Sequence, residues 1–291
     1  MAARLLTNKK AGLDRAADAF LSTFKIPIIL DMKNLFLIVL LFATSSAMAA
    51  IDSLHAAVYK LSNAKVQKVG VLERRQIASG PTLDIKQFDV YVNTLPAGKK
   101  YTSTNADSKF EQLIVVKSGN IKLTVGDSSK TVGPGSLALV LAGDKMTFEN
   151  NTDQPVSWYA MNYQTKMEDL KRGHDAGPSF IKDWNMLKVG KSAKGETRQV
   201  YDRPTTMFER FDVHATVLNN GFNSHDPHTH RAEELILMID GECQFQIGEE
   251  KFMAQNGDAV LMGSKVPHAA QNVGSKPCGY YAIQWHLLKK D

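Results

Sequence analysis

The sequence predicts an all-β chain made of two tandem barrels or sandwiches, and three observations carry that expectation. One pattern of about ninety residues occurs twice at a near-constant spacing. Each occurrence is a series of short apolar runs separated by turn residues, and helical periodicity is weak almost everywhere else.

The repeat is legible residue by residue. Residues 73–90, ERRQIASGPTLDIKQFDV, align with residues 196–213, ETRQVYDRPTTMFERFDV, at an offset of 123, so that E, RQ, PT and FDV recur. Residues 111–127, EQLIVVKSGNIKLTVGD, align with 233–249, EELILMIDGECQFQIGE, at an offset of 122. That register holds from Gly135 and Gly257 through to Tyr159 and Tyr281, with one residue lost in the loop after Gly98 and Gly221. A period of this length is too long for a solenoid unit and is the size of an independent domain.

Along the chain, residues 1–31 read as an upstream extension, with Met32 as the expected start. Residues 32–49 carry a lysine, an apolar run from Leu35 to Ala43, and then Ala47-Met48-Ala49. This is the order of a secretory signal peptide, with cleavage expected after Ala49 or Ala50. The apolar run is short for a membrane span. The alternatives are a single-pass anchor, a buried helix, or a mitochondrial presequence over residues 1–30. The mature chain is therefore expected to be periplasmic or secreted, with no membrane contact after cleavage.

Residues 51–65 have helical spacing. An N-terminal domain is expected over residues 70–165, with strands at FDVYVNTL, QLIVVKSG, IKLTVG, SLALVLAG and VSWYAMNY. Residues 166–195 have the charge and glycine content of a connector, with some helical spacing at 166–173 and with Phe180, Trp184 and Leu187 to pack. A C-terminal domain over residues 196–291 repeats the strand series as FDVHATVL, ELILMIDG, CQFQIG, DAVLMG and GYYAIQWHLL.

Composition removes some partners. The hydrophobic content of 43% suits buried cores, and the formal charge of +5 owes +3 to the first 49 residues. No basic stripe with interleaved aromatics remains, so nucleic acid is not an expected partner. Export would permit a disulfide between Cys243 and Cys278, but their counterparts are Ile121 and Val156, which favours two small core residues.

Chemistry concentrates in residues 225–241, HDPHTHRAEELILMIDG. On an extended strand, residues two and four apart share a face, which groups His228, His230 and Glu234 and sets His225 and Glu233 on the other side. A further ligand must come from elsewhere, and His268 in GSKVPHAAQN is the best placed, at the start of another expected strand. Three imidazoles and a carboxylate suit a divalent first-row metal with open positions for water, oxygen or substrate.

These segments resemble those of the bicupins. HTHRAEELILMIDG fits the family's first motif, H-x-H, three residues, E, six residues, G, and GSKVPHAAQN fits the second, a histidine followed three residues later by Asn. The resemblance implies two double-stranded β-helix (jelly-roll) barrels, with the family's metal ligands falling on His228, His230, Glu234 and His268. The ion would be Fe, Mn, Ni, Zn or Cu. The family's pairing through sheet edges makes a homodimer an expectation. Gly221 and His228 are six residues apart where the family usually has five, and Pro-x-Gly is not clean in LMGSKVPH, so the motifs do not assign a substrate.

The first copy serves as a control. The four ligands correspond there to Ala106, Ser108, Gln112 and Met146, whereas Glu233 retains Glu111 as its counterpart. The metal set is thus lost together while an acid at the Glu233 position serves the scaffold. His225 and Gln284 are the tentative proton-handling or substrate-orienting residues. His214 and His286 are candidates for the pocket wall, with Met207, Phe245 and Met262 as its apolar part. The expected activity is a metalloenzyme of dioxygenase or isomerase/lyase type on a small, oxygenated, metal-chelating molecule. A binding or sensing module with a structural metal is the alternative, and a storage-like or purely oligomeric protein would leave the ligand set without a purpose.

Overall fold

Apolar alternation gives strands wherever one face can be buried, and a computed structural model, which describes residues 53–103 and 109–287, has strands in those places. Residues 1–52, where the expected upstream extension and leader fall, and residues 104–108, with Ala106 and Ser108, lie outside the described residues. Two seven-stranded antiparallel sheets dominate. The first has the order β12 (Phe180–Lys182), β9 (Leu137–Val140), β6 (Glu111–Ser118), β11 (Val156–Thr165), β4 (Ile85–Leu95), β3 (Leu72–Gly80) and β2 (Val66–Val69). The second repeats that order as β1 (Ala57–Tyr59), β19 (Ala259–Met262), β16 (Glu233–Asp240), β21 (Cys278–His286), β15 (Arg210–Leu218), β14 (Gly195–Arg203) and β13 (Val189–Ser192). Each large sheet is closed by a smaller one. That of the first barrel has the order β5 (Lys100–Thr102), β10 (Met146–Glu149), β7 (Ile121–Val125) and β8 (Ser128–Val132). That of the second has the order β18 (Glu250–Gln255), β17 (Glu242–Ile247) and β20 (His268–Gln271).

The alternation of side chains divides the apolar residues into three cores. On β11, Tyr159, Met161 and Tyr163 face the second barrel, while Val156, Trp158 and Ala160 fill the interior of the first. On β21, Tyr281, Ile283 and Trp285 meet the first barrel, while Cys278, Tyr280 and Ala282 line the interior of the second. Two barrels therefore share a continuous apolar interface and keep separate interiors. Cys243 and Cys278 are unbridged and buried within the second interior.

Each barrel also takes one strand from the segment that precedes the other. β1 (Ala57–Tyr59) pairs with β19 (Ala259–Met262), and β12 (Phe180–Lys182) pairs with β9 (Leu137–Val140). The helical spacing read over residues 51–65 is thus not realised in the described part: β1 is followed only by a 3-10 turn at Leu61–Asn63. The reason is burial on two sides. Ala56 and Val58 pack into the second interior while Leu54, Tyr59 and Leu61 pack between the barrels, a division that a strand provides and a helix does not. The connector is likewise tied down, by β12 and by a short helix α1 (Leu170–Ala176) with Asp169 as its N-cap. Among the described residues no helix is long and apolar enough to cross a membrane.

Candidate metal centre

The histidine segment is only partly a strand. Glu234 lies on β16, but His228 and His230 belong to the loop before it, so simple alternation along one strand is not what brings them together. Backbone pairing does that work. His228 and His268 form an isolated antiparallel bridge, with His268 N donating to the His228 carbonyl at 3.0 Å and His228 N donating back at 3.3 Å. The His230 carbonyl accepts from Lys265 N at 2.7 Å. Lys265 is the sole non-glycine residue with positive φ among the described residues, at 60°, and its counterpart in the first copy is Gly143. A left-handed backbone costs a lysine about 1–2 kcal/mol, and here it serves to present an N–H to the histidine loop.

The ring nitrogens of His228, His230 and His268 lie within 4.8 Å of one another. Two metal–nitrogen bonds of about 2.1 Å span at most ~4.2 Å, so small side-chain rotations close the set around an ion. His268 fits that role best. Its Nδ1 is 2.8 Å from the Val266 carbonyl, which fixes the proton there, and its Nε2 is buried with no hydrogen-bond partner. His230 is oriented in the same way, with Nδ1 2.8 Å from the Ala232 carbonyl. A buried lone pair left open is costly unless something accepts it, and these donors suit a divalent ion.

Glu234 stands beside two of the three histidines, its Oε2 at 3.3 Å from His230 Nε2 and 3.9 Å from His268 Nε2. Burial alone would raise its pKa, but its bond to His230 and the imidazoles of His268 and His214 outweigh that and hold it below the usual carboxylate value. The same bond lifts His230. Burial pushes His228 and His268 down, toward the neutral form that binds metal.

Gln284 touches the cluster rather than open space. Its amide is 3.0 Å from His230 Nε2, and its carbonyl oxygen is 3.0 Å from His286 Nε2. His225 sits exposed at the mouth, its Nδ1 3.1 Å from His228 Nδ1. Inside lies a cavity of about 260 Å³ that reaches Glu234, His268, His225 and His214, with Ile236, Phe245 and Met262 as its apolar wall. Met207 and His286 are not part of that wall. Met207 is buried in the interface between the barrels because its turn, 205–208, docks onto Glu111 of the first barrel.

His214 lines the cavity, as its place on the FDVHATVL strand led one to expect, whereas Thr197 and Thr216, which also line it, and Asp212 beside His214 had no role in the sequence. His214 Nδ1 is 3.7 Å from Asp212 Oδ1. Comparison of the copies could have found them: Thr197, His214, Ala270 and Tyr280 replace Arg74, Tyr91, Phe148 and Trp158. In the first barrel Phe148 and Trp158 stack at 4.3 Å, Arg74 lies 3.9 Å over the Tyr91 ring, and Tyr91 accepts a bond from Asn162 at 2.7 Å. Bulky groups fill one interior where smaller ones open the other.

Glu233 has no part in the cavity. Its carboxylate accepts from Thr82 Oγ1 at 2.6 Å, from the N–H groups of Leu83 and Asp84, and from Trp285 Nε1. Glu111 reciprocates by accepting from Thr206 N at 2.8 Å. The two acids pin each barrel to a turn of the other.

Known proteins agree with this architecture. Residues 215–284 match the family model described as Cupin domain. No curated protein matches the chain in sequence. Among solved structures, a Pseudomonas aeruginosa protein named for induction by glyoxylate superposes with a TM-score of 0.66 at 15% identity, covering 83% of this chain and 92% of that one. The Lactobacillus farciminis oxalate decarboxylase, in a formate complex, superposes at 0.62 with 13% identity over 81% of this chain and 88% of its own. The Bacillus subtilis oxalate decarboxylase, described with Mn(II) centres, superposes at 0.61 with 12% identity over 82% and 79%. At these identities the likeness is one of fold. Residues 215–284, in the second barrel, thus carry a cupin domain, and because the first barrel repeats the strand order of the second, the chain has the fold of two tandem jelly-roll barrels.

Proposed function

We infer that the second barrel binds one divalent transition metal through His228, His230, Glu234 and His268 and uses it in an enzyme acting on a small, oxygenated, metal-chelating molecule. The observation that carries this reading is His268 Nε2, buried, unpartnered and aimed into a cluster of imidazoles at the end of a cavity. Fe, Mn, Ni, Zn and Cu all suit such donors, and the Mn(II) centres named for the Bacillus subtilis oxalate decarboxylase give manganese a place among them. A bound divalent ion supplies a Lewis acid that polarises a carbonyl or carboxylate oxygen.

The chain's own residues do the remaining work. The bonds from Nδ1 of His230 and His268 to carbonyls fix both rings. Gln284 and His225 flank the cluster and are placed to orient a ligand or hold a proton. Ile236, Phe245 and Met262 exclude water from the far wall. At about 260 Å³ the cavity lies below the ~300–1,000 Å³ of drug-sized sites, which suits a small metabolite. Oxygenation and isomerase or lyase chemistry are both compatible with that site. The chain acts after export, with the leader at residues 32–49 removed, and the family's habit of pairing through sheet edges makes a homodimer part of the proposal.

The test is metal content of the exported protein together with titration of the metal-free form. One equivalent of metal whose spectrum changes on addition of small hydroxy or keto acids supports an enzyme site. Metal that no small molecule perturbs points instead to a structural ion in a binding or sensing module, and absence of metal uptake overturns the reading.

A further inference from the structure

The cavity has a second polar wall, opposite the histidine cluster. Glu234 on β16 pairs across the sheet with Gln284 on β21, which pairs with Asp212 on β15. The next row inward is Ile236, Ala282 and His214. Strands lie about 4.8 Å apart, so His214 and Asp212 stand two spacings, roughly 10 Å, from the strand of Glu234. Between them the floor is Ala282, whose small side chain leaves room for a ligand. Asp212 is itself held, by Gln199 Nε2 at 2.8 Å and Arg210 at 3.1 Å, and stands 3.7 Å from His214 Nδ1. His214 itself lines the cavity, with its Nδ1 on the side of Asp212. In the first copy the aspartate persists as Asp89 while His214 is replaced by Tyr91, whose ring occupies the interior. The histidine is thus specific to the barrel with the cavity.

We propose that His214, oriented by Asp212, is the proton-transferring catalytic residue of this site, and that the substrate is a small α-hydroxy ketone or α-keto acid with its oxygens at the histidine cluster and an acidic C–H facing His214. This rests on the metal reading above and selects isomerase or lyase chemistry over oxygenation. In the step, His214 Nε2 takes the proton from the carbon next to the carbonyl, the C–H electron pair becomes the new C=C bond, and the carbonyl π pair moves to oxygen. Return of the proton to the same carbon regenerates either substrate; for the hydroxy ketone, its return to the former carbonyl carbon, with the hydroxyl proton passing to the former carbonyl oxygen as the new C=O forms, gives the isomer, and neither route needs an oxidant or co-reactant. Well-placed general bases contribute typically ~10²–10⁴-fold.

The experiment is proton NMR in D2O of the Zn(II)-loaded full-length mature protein with hydroxyacetone and with pyruvate, read for deuterium entering the carbon next to the carbonyl. The parent is expected to exchange at least one probe. His214→Ala should lose about 100-fold or more of that rate while retaining metal content and probe binding, and added imidazole should restore part of it. Asp212→Asn should lower the rate less. Exchange by His214→Ala at the parental rate, failure of imidazole to restore a lost rate, or a parent that binds neither probe or exchanges neither would overturn the proposal. Failure of the metal reading is separately visible, as a parent that takes up no zinc.

Discussion

At the scale of the residue, the two neighbouring glutamates divide between scaffold and site. Glu233 accepts three bonds across the barrel interface, from Thr82, Leu83 and Asp84, and a fourth from Trp285 of its own barrel, and Glu233→Ala leaves those donors without partners at about 1–3 kcal/mol each. A loss of about 3 kcal/mol, or a fall in Tm of roughly 6–12 °C, is expected in thermal melts; a Tm within ~2 °C of the parent would contradict the pin. Lys265→Gly should instead relieve part of the ~1–2 kcal/mol left-handed cost and raise Tm slightly. His214 offers a pH signature in metal-free protein. Burial opposes its charge, but Asp212 outweighs burial and raises the imidazole above its ordinary value. The stabilisation is therefore fully present below an unfolded pKa of about 6.5 and is lost as pH rises through the higher folded value. Since the side chain is 38% exposed, solvent screening keeps the effect small. The Tm gap between parent and His214→Gln should be larger near pH 5.5 than near pH 8.5, and the reverse order would contradict the pairing. Spacing made the four ligand candidates and the scaffold role of Glu233 legible, because the two copies could be compared. The partner of Glu233 was not, because Thr82 meets it through tertiary packing that no local pattern encodes, whereas Asp212 and His214 stand two apart on β15 and share a face.

At the scale of the element, the exchanged arms matter most. Trp184 packs where a Cβ on Gly135 would stand, at 2.7 Å from the indole, and Trp184 N donates to Ser136 Oγ at 3.0 Å. Leu61 sits against Gly257 in the same way, with Leu61 N bonded to Asp258 Oδ1 at 3.0 Å. Gly135→Ala combines a positive φ of 83° with that clash, whereas Gly126→Ala at φ 54° meets nothing within 4 Å. The first should cost more than the second, which pays only about 1 kcal/mol of backbone strain. Equal losses in chemical denaturation would mean that the arm yields freely. Strands with a buried face were visible as alternation, and the arms were not. Residues 57–59 have too few neighbours in sequence to announce a strand, and they become one because β19 offers an open edge.

At the scale of the whole molecule, one fold is used twice with opposite interiors. The first barrel is filled by the Phe148 and Trp158 stack and by Tyr91, and the second is hollowed by Ala270 and His214 at the matching positions. Packing of the two large sheets against each other makes the closed barrel a buttress for the open one. The cupin motifs of the second barrel and the tandem order of the two barrels were legible in the sequence. Cavity size was not, since it depends on which of many apolar residues face inward together. The most direct measurement is a titration of metal-free protein with Co(II), followed by visible absorption, on the parent, His268→Ala and Gln112→Ala. The account predicts one equivalent bound by the parent and by Gln112→Ala, and an affinity lowered at least tenfold in His268→Ala. Two equivalents in the parent, or parental affinity in His268→Ala, would contradict it.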